Sequence, residues 1–121
     1  MKSKDNQDIE IRIVYKTPQF EVFYNSLPDK VRTKFNYVID IVTRIRNVST
    51  KFVKHLQDSD LYEMRVSIGS NEYRTILFAI DKANVIEATK IILLNGFLKK
   101  STHDYRKHIE LAKSILNDLK Q

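Results

Sequence analysis

Two arginines in neighbouring strand-like segments are the residues of this sequence best placed to do chemistry. Arg65 and Arg74 flank the tripeptide Gly69-Ser70-Asn71. With Gly69 and Ser70 at the centre of a type II′ turn, which favours glycine at its first central position, Arg65 lies directly opposite Arg74. Like charges in directly opposed positions destabilise a pair of strands, so we expect an anion between them. Phosphate is the natural candidate, because guanidinium groups match its oxygens through paired hydrogen bonds.

The two arginines belong to a predicted β-hairpin of residues 61–68 and 72–80. Alternation along the first strand separates an apolar face from a polar one. The apolar face comprises Tyr62, Met64, Val66 and Ile68, and the polar face comprises Glu63, Arg65 and Ser67. We expect helices to cover the apolar face and leave the arginine face open.

A strand and two helices are predicted before this hairpin. Residues 9–15 alternate apolar and other side chains, which indicates a strand. Thr17 and Pro18 are typical of a helix start and open a short helix over residues 19–26. Residues 30–48 form the clearest helix, because Val31, Phe35, Val38, Val42 and Ile45 recur at four-three spacing on one stripe.

The rest of the chain supplies a loop, a strand and a last helix. Residues 49–59 are predicted to be a loop, and residues 85–94 a central strand, apolar enough to be buried on both faces, that ends at Asn95-Gly96. Residues 104–119 form an amphipathic helix capped by Ser101-Thr102. The order β-α-α-β-β-β-α predicts an α+β domain with a mostly antiparallel, four-stranded sheet and helices on one face.

The composition is that of a small basic domain. The chain has 121 residues and 42% hydrophobic residues, which predicts a single domain over residues 9–121 after a flexible polar N-terminus of residues 1–8. With no cysteine, disulfides and thiolate chemistry are excluded. A net charge of +6 favours a polyanionic partner, although many basic domains bind none. No membrane span or signal peptide is evident, so we expect a cytoplasmic protein.

Three segments, taken in this order, resemble the RelE/ParE toxin superfamily, and most closely its HigB-type branch of phage-derived host-inhibition proteins. They are residues 61–65 (LYEMR), 73–78 (YRTILF) and 93–100 (LLNGFLKK). The resemblance implies a RelE-like fold and the toxin of a type II toxin–antitoxin system, inhibited by a cognate antitoxin expected to carry a helix-turn-helix. Most HigB-type members cut mRNA in the ribosomal A site without metal, so the ribosome and mRNA are the expected partners.

The family's basic positions correspond to Arg65, Arg74 and either Lys99 or Lys100. In transesterification of RNA the 2′-OH loses a proton, the phosphorane is stabilised and the 5′-oxygen leaves. The two arginines would hold the phosphorane. A lysine crowded by other cations has a lowered pKa, so one of the two lysines could be the acid or base.

Three further residues are candidates with simpler alternative roles. Glu63 shares the face of Arg65 and is a second base candidate, although neutralising Arg65 is its simpler role. His55 is a candidate because imidazole side chains can act as acid or base near neutrality, although a loop or helix-end position is its simpler role. Tyr105 fits the core of the last helix, unless its hydroxyl faces the site. Residues expected to bind RNA or the ribosome are Lys51, Lys54, Lys90, Arg106 and Lys107.

No cofactor and no metal site are expected. The three histidines are scattered and the carboxylates are not clustered, which leaves no ligand set for a metal. Two other functions remain open. A ParE-like inhibitor of DNA gyrase would keep the fold without using the arginines as a catalytic set. A non-catalytic RNA-binding domain is the third, although no RNP-like motif or helix-turn-helix signature supports it.

Overall fold

A computed structural model describes residues 9–121, which form a five-stranded mixed sheet with three helices. In chain order the elements are β1 (Ile13–Lys16), α1 (Pro18–Asn25), α2 (Asp29–Arg44), β2 (Val53–His55), β3 (Leu61–Ile68), β4 (Asn71–Ala79), β5 (Lys90–Leu98) and α3 (Thr102–Leu119). The strand order across the sheet is β1-β5-β4-β3-β2. β1 is parallel to β5, and the other neighbours are antiparallel. The predicted α+β class is confirmed.

The sheet has five strands instead of the predicted four, because β2 lies within the segment 49–59 that was expected to be a loop. Val53 of β2 pairs with Met64 and contributes to the core. A three-residue strand with only one buried side chain carries too little periodicity to be found from sequence alone.

The helices lie on both faces of the sheet, so the expectation of one covered face is wrong. Buried residues of α1 and α2 pack with Met64, Val66 and Leu77 in one core cluster. Ala112 and Ile115 of α3 pack with Leu61 and Ile76 in another. Neighbouring residues of a strand point to opposite faces, and Ile76 and Leu77 therefore identify two separate layers.

Helix starts and apolar stripes are where the sequence predicts them. Thr17 caps α1, and its hydroxyl accepts a hydrogen bond from the Phe20 amide at 3.0 Å. The predicted stripe of α2 is buried through Val31, Phe35, Val38 and Val42. This helix ends at Arg44, before the predicted residue 48, because Ile45 has an extended backbone. In α3, Ala112 and Ile115 are buried, whereas Leu119 at the end of the helix is 52% exposed.

The hairpin register is confirmed. Ile68 pairs with Asn71, and Arg65 lies directly opposite Arg74. Gly69 has a φ of 59°, the left-handed value that a type II′ turn requires at its first central position. Placing a glycine there costs no steric strain.

The outer bounds of β1 and β5 differ from the prediction. β1 begins at Ile13 instead of residue 9, since the amides of Ile11 and Arg12 bond to the Thr43 carbonyl. β5 is central, as predicted, but starts at Lys90 and continues through Asn95-Gly96 to Leu98. A register shift between Ile76 and Leu77 leaves one extra residue on β5, which identifies a β-bulge. Gly96 is needed in the strand because a Cβ there would overlap the ring of Phe23.

Candidate active site

The site lies on the α3 side of the sheet, where β3, β4 and β5 meet the first turns of α3. Glu63 and Arg65 are two residues apart on β3 and therefore share this face. Arg74 of β4 lies opposite Arg65, and Phe97 of β5 lies opposite Arg74. The side chains are thus placed by strand register, and Tyr105 reaches them from α3.

Glu63 is the anion between the two arginines. Its side chain is buried, and its Oε2 accepts a hydrogen bond from Arg65 Nε at 2.7 Å. The same oxygen lies 3.6 Å from Arg74 Nε. Glu63 Oε1 accepts a short hydrogen bond from the Tyr105 hydroxyl. The opposition of two arginines therefore does not by itself require an external phosphate, because a protein carboxylate already offsets their repulsion.

Arg74 is buried, so the expectation that both arginines lie on an open face is wrong for this residue. It is 6% exposed, whereas the Arg65 side chain is 30% exposed. Arg74 Nη1 donates to the Tyr73 carbonyl at 3.1 Å and to Glu72 Oε1 at 3.2 Å. Its Nε is buried without a hydrogen-bond partner in residues 9–121. Arg74, the most enclosed cation of the site, therefore keeps an N–H group that can donate to a ligand.

Glu72 and Lys99 border the site at the turn end of the hairpin. The Ser67 hydroxyl, donating to Glu72 at 2.7 Å, is the main cause that lowers the pKa of Glu72, and Arg74 adds to it. The Lys99 amide donates to the Glu72 carbonyl at 2.8 Å, which continues the pairing of β4 and β5. Lys99 Nζ lies 5.6 Å from the centre of the Tyr105 ring, within the range of a cation–π contact.

Tyr105 faces the site, in addition to packing in the α3 core as the simpler interpretation predicted. Its ring contacts Phe97 edge to face at 5.8 Å between centroids. Burial is the main cause that raises the pKa of Tyr105 far above the ordinary tyrosine value, and the hydrogen bond to Glu63 adds to it. The phenol is therefore neutral at physiological pH, a hydrogen-bond donor and not a phenolate base.

Lys54 joins the site through the strand that was not predicted. It lies directly opposite Glu63 in the β2–β3 pairing and is exposed. Directly opposed residues share a face, which places a fourth cation beside Arg65, Arg74 and Lys99. The sequence predicts Lys54 only as an RNA-binding residue, because its distance from Glu63 depends on a strand pairing that has no recognisable turn signal.

The remaining predicted residues are spread over other surfaces. His55 pairs with Tyr62, so it lies on the opposite face from Glu63, and its Nε2 is 2.7 Å from the Ser59 carbonyl. Lys90 is at the far end of β5 from Lys99. Exposed positions outside the sheet are occupied by Lys51, Lys100, Arg106 and Lys107.

Asn95 lies near the site, at the position where the sequence predicts the end of the strand. It is 4% exposed, and its Nδ2 donates to the His108 carbonyl at 3.1 Å. The His108 ring stacks on Phe97 with 4.1 Å between ring centroids. These contacts hold the first turns of α3 against β5, and no sequence periodicity signals them.

Neither a metal cluster nor a membrane-spanning helix is found in the described part of the chain. Residues 9–121 contain no group of three or more histidines and carboxylates placed to hold a metal ion. None of the helices in this range is long and apolar enough to cross a bilayer.

A known protein family matches most of the chain. Residues 22–117 match the family described as Phage derived protein Gp49-like (DUF891). No curated protein matches the chain.

Solved structures of an E. coli toxin share the fold. The free RelE toxin with two arginines changed to alanine has 14% identity and a TM-score of 0.58, covering 84% of this chain and 97% of that one. The intact RelBE toxin–antitoxin complex gives 12% identity and a TM-score of 0.53, covering 74% and 99%. The isolated RelE toxin has 12% identity and a TM-score of 0.52, covering 82% of this chain and 96% of that one. At these identities the likeness concerns the fold.

Proposed function

The chain belongs to the Phage derived protein Gp49-like family, a family of RelE/HigB-type toxins, and on this premise we propose that it cleaves mRNA on the ribosome. It would be the toxin of a type II toxin–antitoxin pair, act in the cytoplasm and stop translation. The observation that carries the proposal is the convergence of Arg65, Arg74, Lys99 and Lys54 on one sheet face around Glu63 and Tyr105.

The reaction supported by these residues is transesterification within the RNA. The 2′-oxygen forms a bond to the adjacent phosphorus, and the bond from phosphorus to the 5′-oxygen breaks. The arginines stabilise the negative charge that develops on the phosphorane, as fixed cations do in a site shielded from water. Lys99 and Lys54 are the exposed amino groups beside them. One of them, as the amine, would take up the proton of the 2′-OH, and the other, as the ammonium, would donate the proton that the leaving 5′-oxygen takes up.

Ribosome binding would be electrostatic. The residues predicted to make this contact are exposed lysines and arginines, namely Lys51, Lys54, Lys90, Arg106 and Lys107. Binding that releases counterions from RNA weakens steeply as salt rises. Affinity for ribosomes that falls little between low and physiological salt would contradict this mode of binding.

An antitoxin is the expected protein partner. One structural relative is the toxin of an intact toxin–antitoxin complex, and we propose that this chain is neutralised in the same general way. A cognate antitoxin with a helix-turn-helix domain should restore growth when co-expressed with the toxin.

The products of cleavage test the mechanism. Purified protein, added to mRNA-programmed ribosomes, should release fragments with a cyclic or 3′-phosphate and a 5′-hydroxyl. A substrate with a 2′-deoxy nucleotide at the cut position should resist, because it lacks the nucleophile. We also propose that no metal takes part, so cleavage should persist in excess EDTA when polyamines keep the ribosomes intact. Products with 5′-phosphates would identify water as the nucleophile and refute the mechanism.

Inhibition of DNA gyrase is the second candidate. The observation in its favour is that Glu63 already neutralises Arg65, and that Arg74 is covered. Induction of the toxin in cells distinguishes the two candidate functions. A nuclease arrests translation before plasmid supercoiling changes, and a gyrase inhibitor does the reverse.

A further inference from the structure

Glu63 is the most enclosed carboxylate of the candidate site and contacts groups from three elements. It is 3% exposed, in the middle of β3. A buried carboxylate is costly unless it is paired and hydrogen-bonded. Arg65 of its own strand, Arg74 of β4 and Tyr105 of α3 supply the partners.

Both oxygens of Glu63 are occupied. Oε1 accepts from the Tyr105 hydroxyl, and Oε2 accepts from Arg65 Nε at 2.7 Å with Arg74 Nε at 3.6 Å. A proton acceptor must come within hydrogen-bonding reach of the 2′-OH. Glu63 would have to give up one of these donors and emerge from a buried position to do so. Its geometry is that of an acceptor for protein groups.

These contacts orient the groups that face the substrate. Holding Arg65 by Nε leaves its two terminal nitrogens as donors for a phosphate. Holding the Tyr105 hydroxyl keeps the first turns of α3 beside Arg74. The Tyr105 ring is in turn the surface over which Lys99 Nζ lies, 5.6 Å from its centre. Glu63 thus contacts both arginines directly and is linked to Lys99 through the Tyr105 side chain.

We propose that Glu63 is a positioning residue, which aligns Arg65, Arg74 and Tyr105 for the phosphorane and does not accept the proton of the 2′-OH. The inference rests on the proposed nuclease function for its kinetic consequence. Its structural consequence, the link between Glu63 and the Tyr105 hydroxyl, is independent of any activity.

The kinetic test compares E63Q with the wild type on mRNA-programmed ribosomes. E63Q should lower kcat by about 100-fold, the loss expected from a misplacement of about 1 Å, with a much smaller change in KM. The dependence of log kcat on pH should keep its wild-type shape at the lower level. A rate that instead rises tenfold per pH unit, as hydroxide catalysis does, would identify Glu63 as the base and overturn the proposal. E110Q, the same change at an exposed glutamate of α3, is the matched control and should leave kcat unchanged.

The structural test follows the ionisation of Tyr105 by absorbance. The chain has six tyrosines, so the signal of Tyr105 is the difference between a protein and its Y105F counterpart. In the wild type Tyr105 should stay protonated at pH values above the ordinary tyrosine pKa of about 10. In E63Q it should ionise at lower pH than in the wild type, because the hydrogen bond to a carboxylate and the carboxylate charge are removed.

The kinetic test and the titration have independent outcomes. If wild-type protein cleaves no mRNA, the proposed function fails, and the titration still decides whether Glu63 holds Tyr105. Identical titration of Tyr105 in the wild type and E63Q overturns the positioning role. If E63Q does not fold, E63D keeps the charge but withdraws the carboxylate by one methylene. E63D should also lower kcat more than KM changes, and full activity of E63D would contradict the proposal.

Discussion

Arg12 and Arg74 are both buried, with 2% and 6% of their surfaces exposed, yet the molecule holds them in different ways. All five N–H groups of the Arg12 guanidinium donate to backbone carbonyls, those of Val42, Ile45, Arg46, Val85 and Ile86. Arg74 has mainly side-chain partners, Glu63 and Glu72, and its Nε has no hydrogen-bond partner within residues 9–121.

The difference separates a structural arginine from one suited to a ligand. Arg12 joins the start of β1 to the C-terminal end of α2, where carbonyls carry the negative end of the helix dipole. Burial, and secondarily the nearby charge of Arg46, lower the pKa of Arg12, but a guanidinium remains charged in proteins. Its donors are saturated by a fixed backbone. Arg74 instead keeps a buried Nε that has no hydrogen-bond partner in residues 9–121, so it retains a donor for the oxygens of a substrate.

The largest effect is expected at Arg12. Arg12→Ala removes a donor from five carbonyls, of which that of Ile86 also accepts from Arg46. The hydrogen bonds to Val42 and Val85 are buried, and buried acceptors without partners are costly, so the free energy of unfolding should fall by about 3 kcal/mol or more. Arg12→Lys should recover only part, because an ammonium has three donors. Urea unfolding followed by circular dichroism measures both. A variant as stable as the wild type would show that the backbone contacts are dispensable.

At the site the expected loss is in activity more than in stability. Arg74→Ala or Arg65→Ala should lower kcat for mRNA cleavage by about 100- to 1000-fold, the usual cost of removing one donor to a developing charge. Each should destabilise the protein less than Arg12→Ala does. Arg32→Ala, on α2 at the other face of the sheet, is the control for loss of one positive charge. Full toxicity of either site variant at equal expression would refute the assignment.

A smaller effect on stability is expected at Gly96, which supports the site from the opposite face. Gly96→Ala introduces a methyl group into the ring of Phe23, and overpacking of this kind costs about 1–3 kcal/mol. The cost should shrink in a Phe23→Ala background, which a double-mutant cycle of unfolding free energies measures. Equal costs in both backgrounds would show that the close approach is relieved elsewhere.

The smallest effect concerns Asp81, which is exposed and satisfied by backbone groups as Arg12 is. Its carboxylate accepts from the Thr89 and Lys90 amides, at 3.0 and 3.1 Å, and from the Thr89 hydroxyl. The Thr89 hydroxyl is the main cause that lowers the pKa of Asp81. Its contribution to stability is therefore present above the ordinary aspartate pKa of about 3.9 and is lost as pH falls through the lowered value.

In Asp81→Asn the free energy of unfolding should depend less on pH under acidic conditions than it does in the wild type. Melting temperatures of the two proteins should differ most at neutral pH and converge as the solution becomes acidic. A constant difference down to the lowest pH at which the protein folds would contradict this linkage.

Local features of the site were predictable from sequence, and its burial was not. A two-residue turn beginning with glycine specifies register, which is why the opposition of Arg65 and Arg74 was found. The covering of Arg74 depends on where α3 packs, and an amphipathic helix can cover either face of a sheet. Lys54 was missed as a neighbour of Glu63 because the pairing of β2 with β3 has no comparable turn signal.

By itself the sequence determined the elements whose causes are local: the caps at Thr17 and Ser101, the stripe of α2 and the hairpin centred on Gly69. Only the tertiary structure decided which partners the buried charged side chains meet. Glu63 meets Tyr105 across 42 positions of the chain, and Arg12 meets Val85 across 73. Such contacts arise from the packing of whole elements, because no periodicity within a segment encodes the distance between residues so far apart.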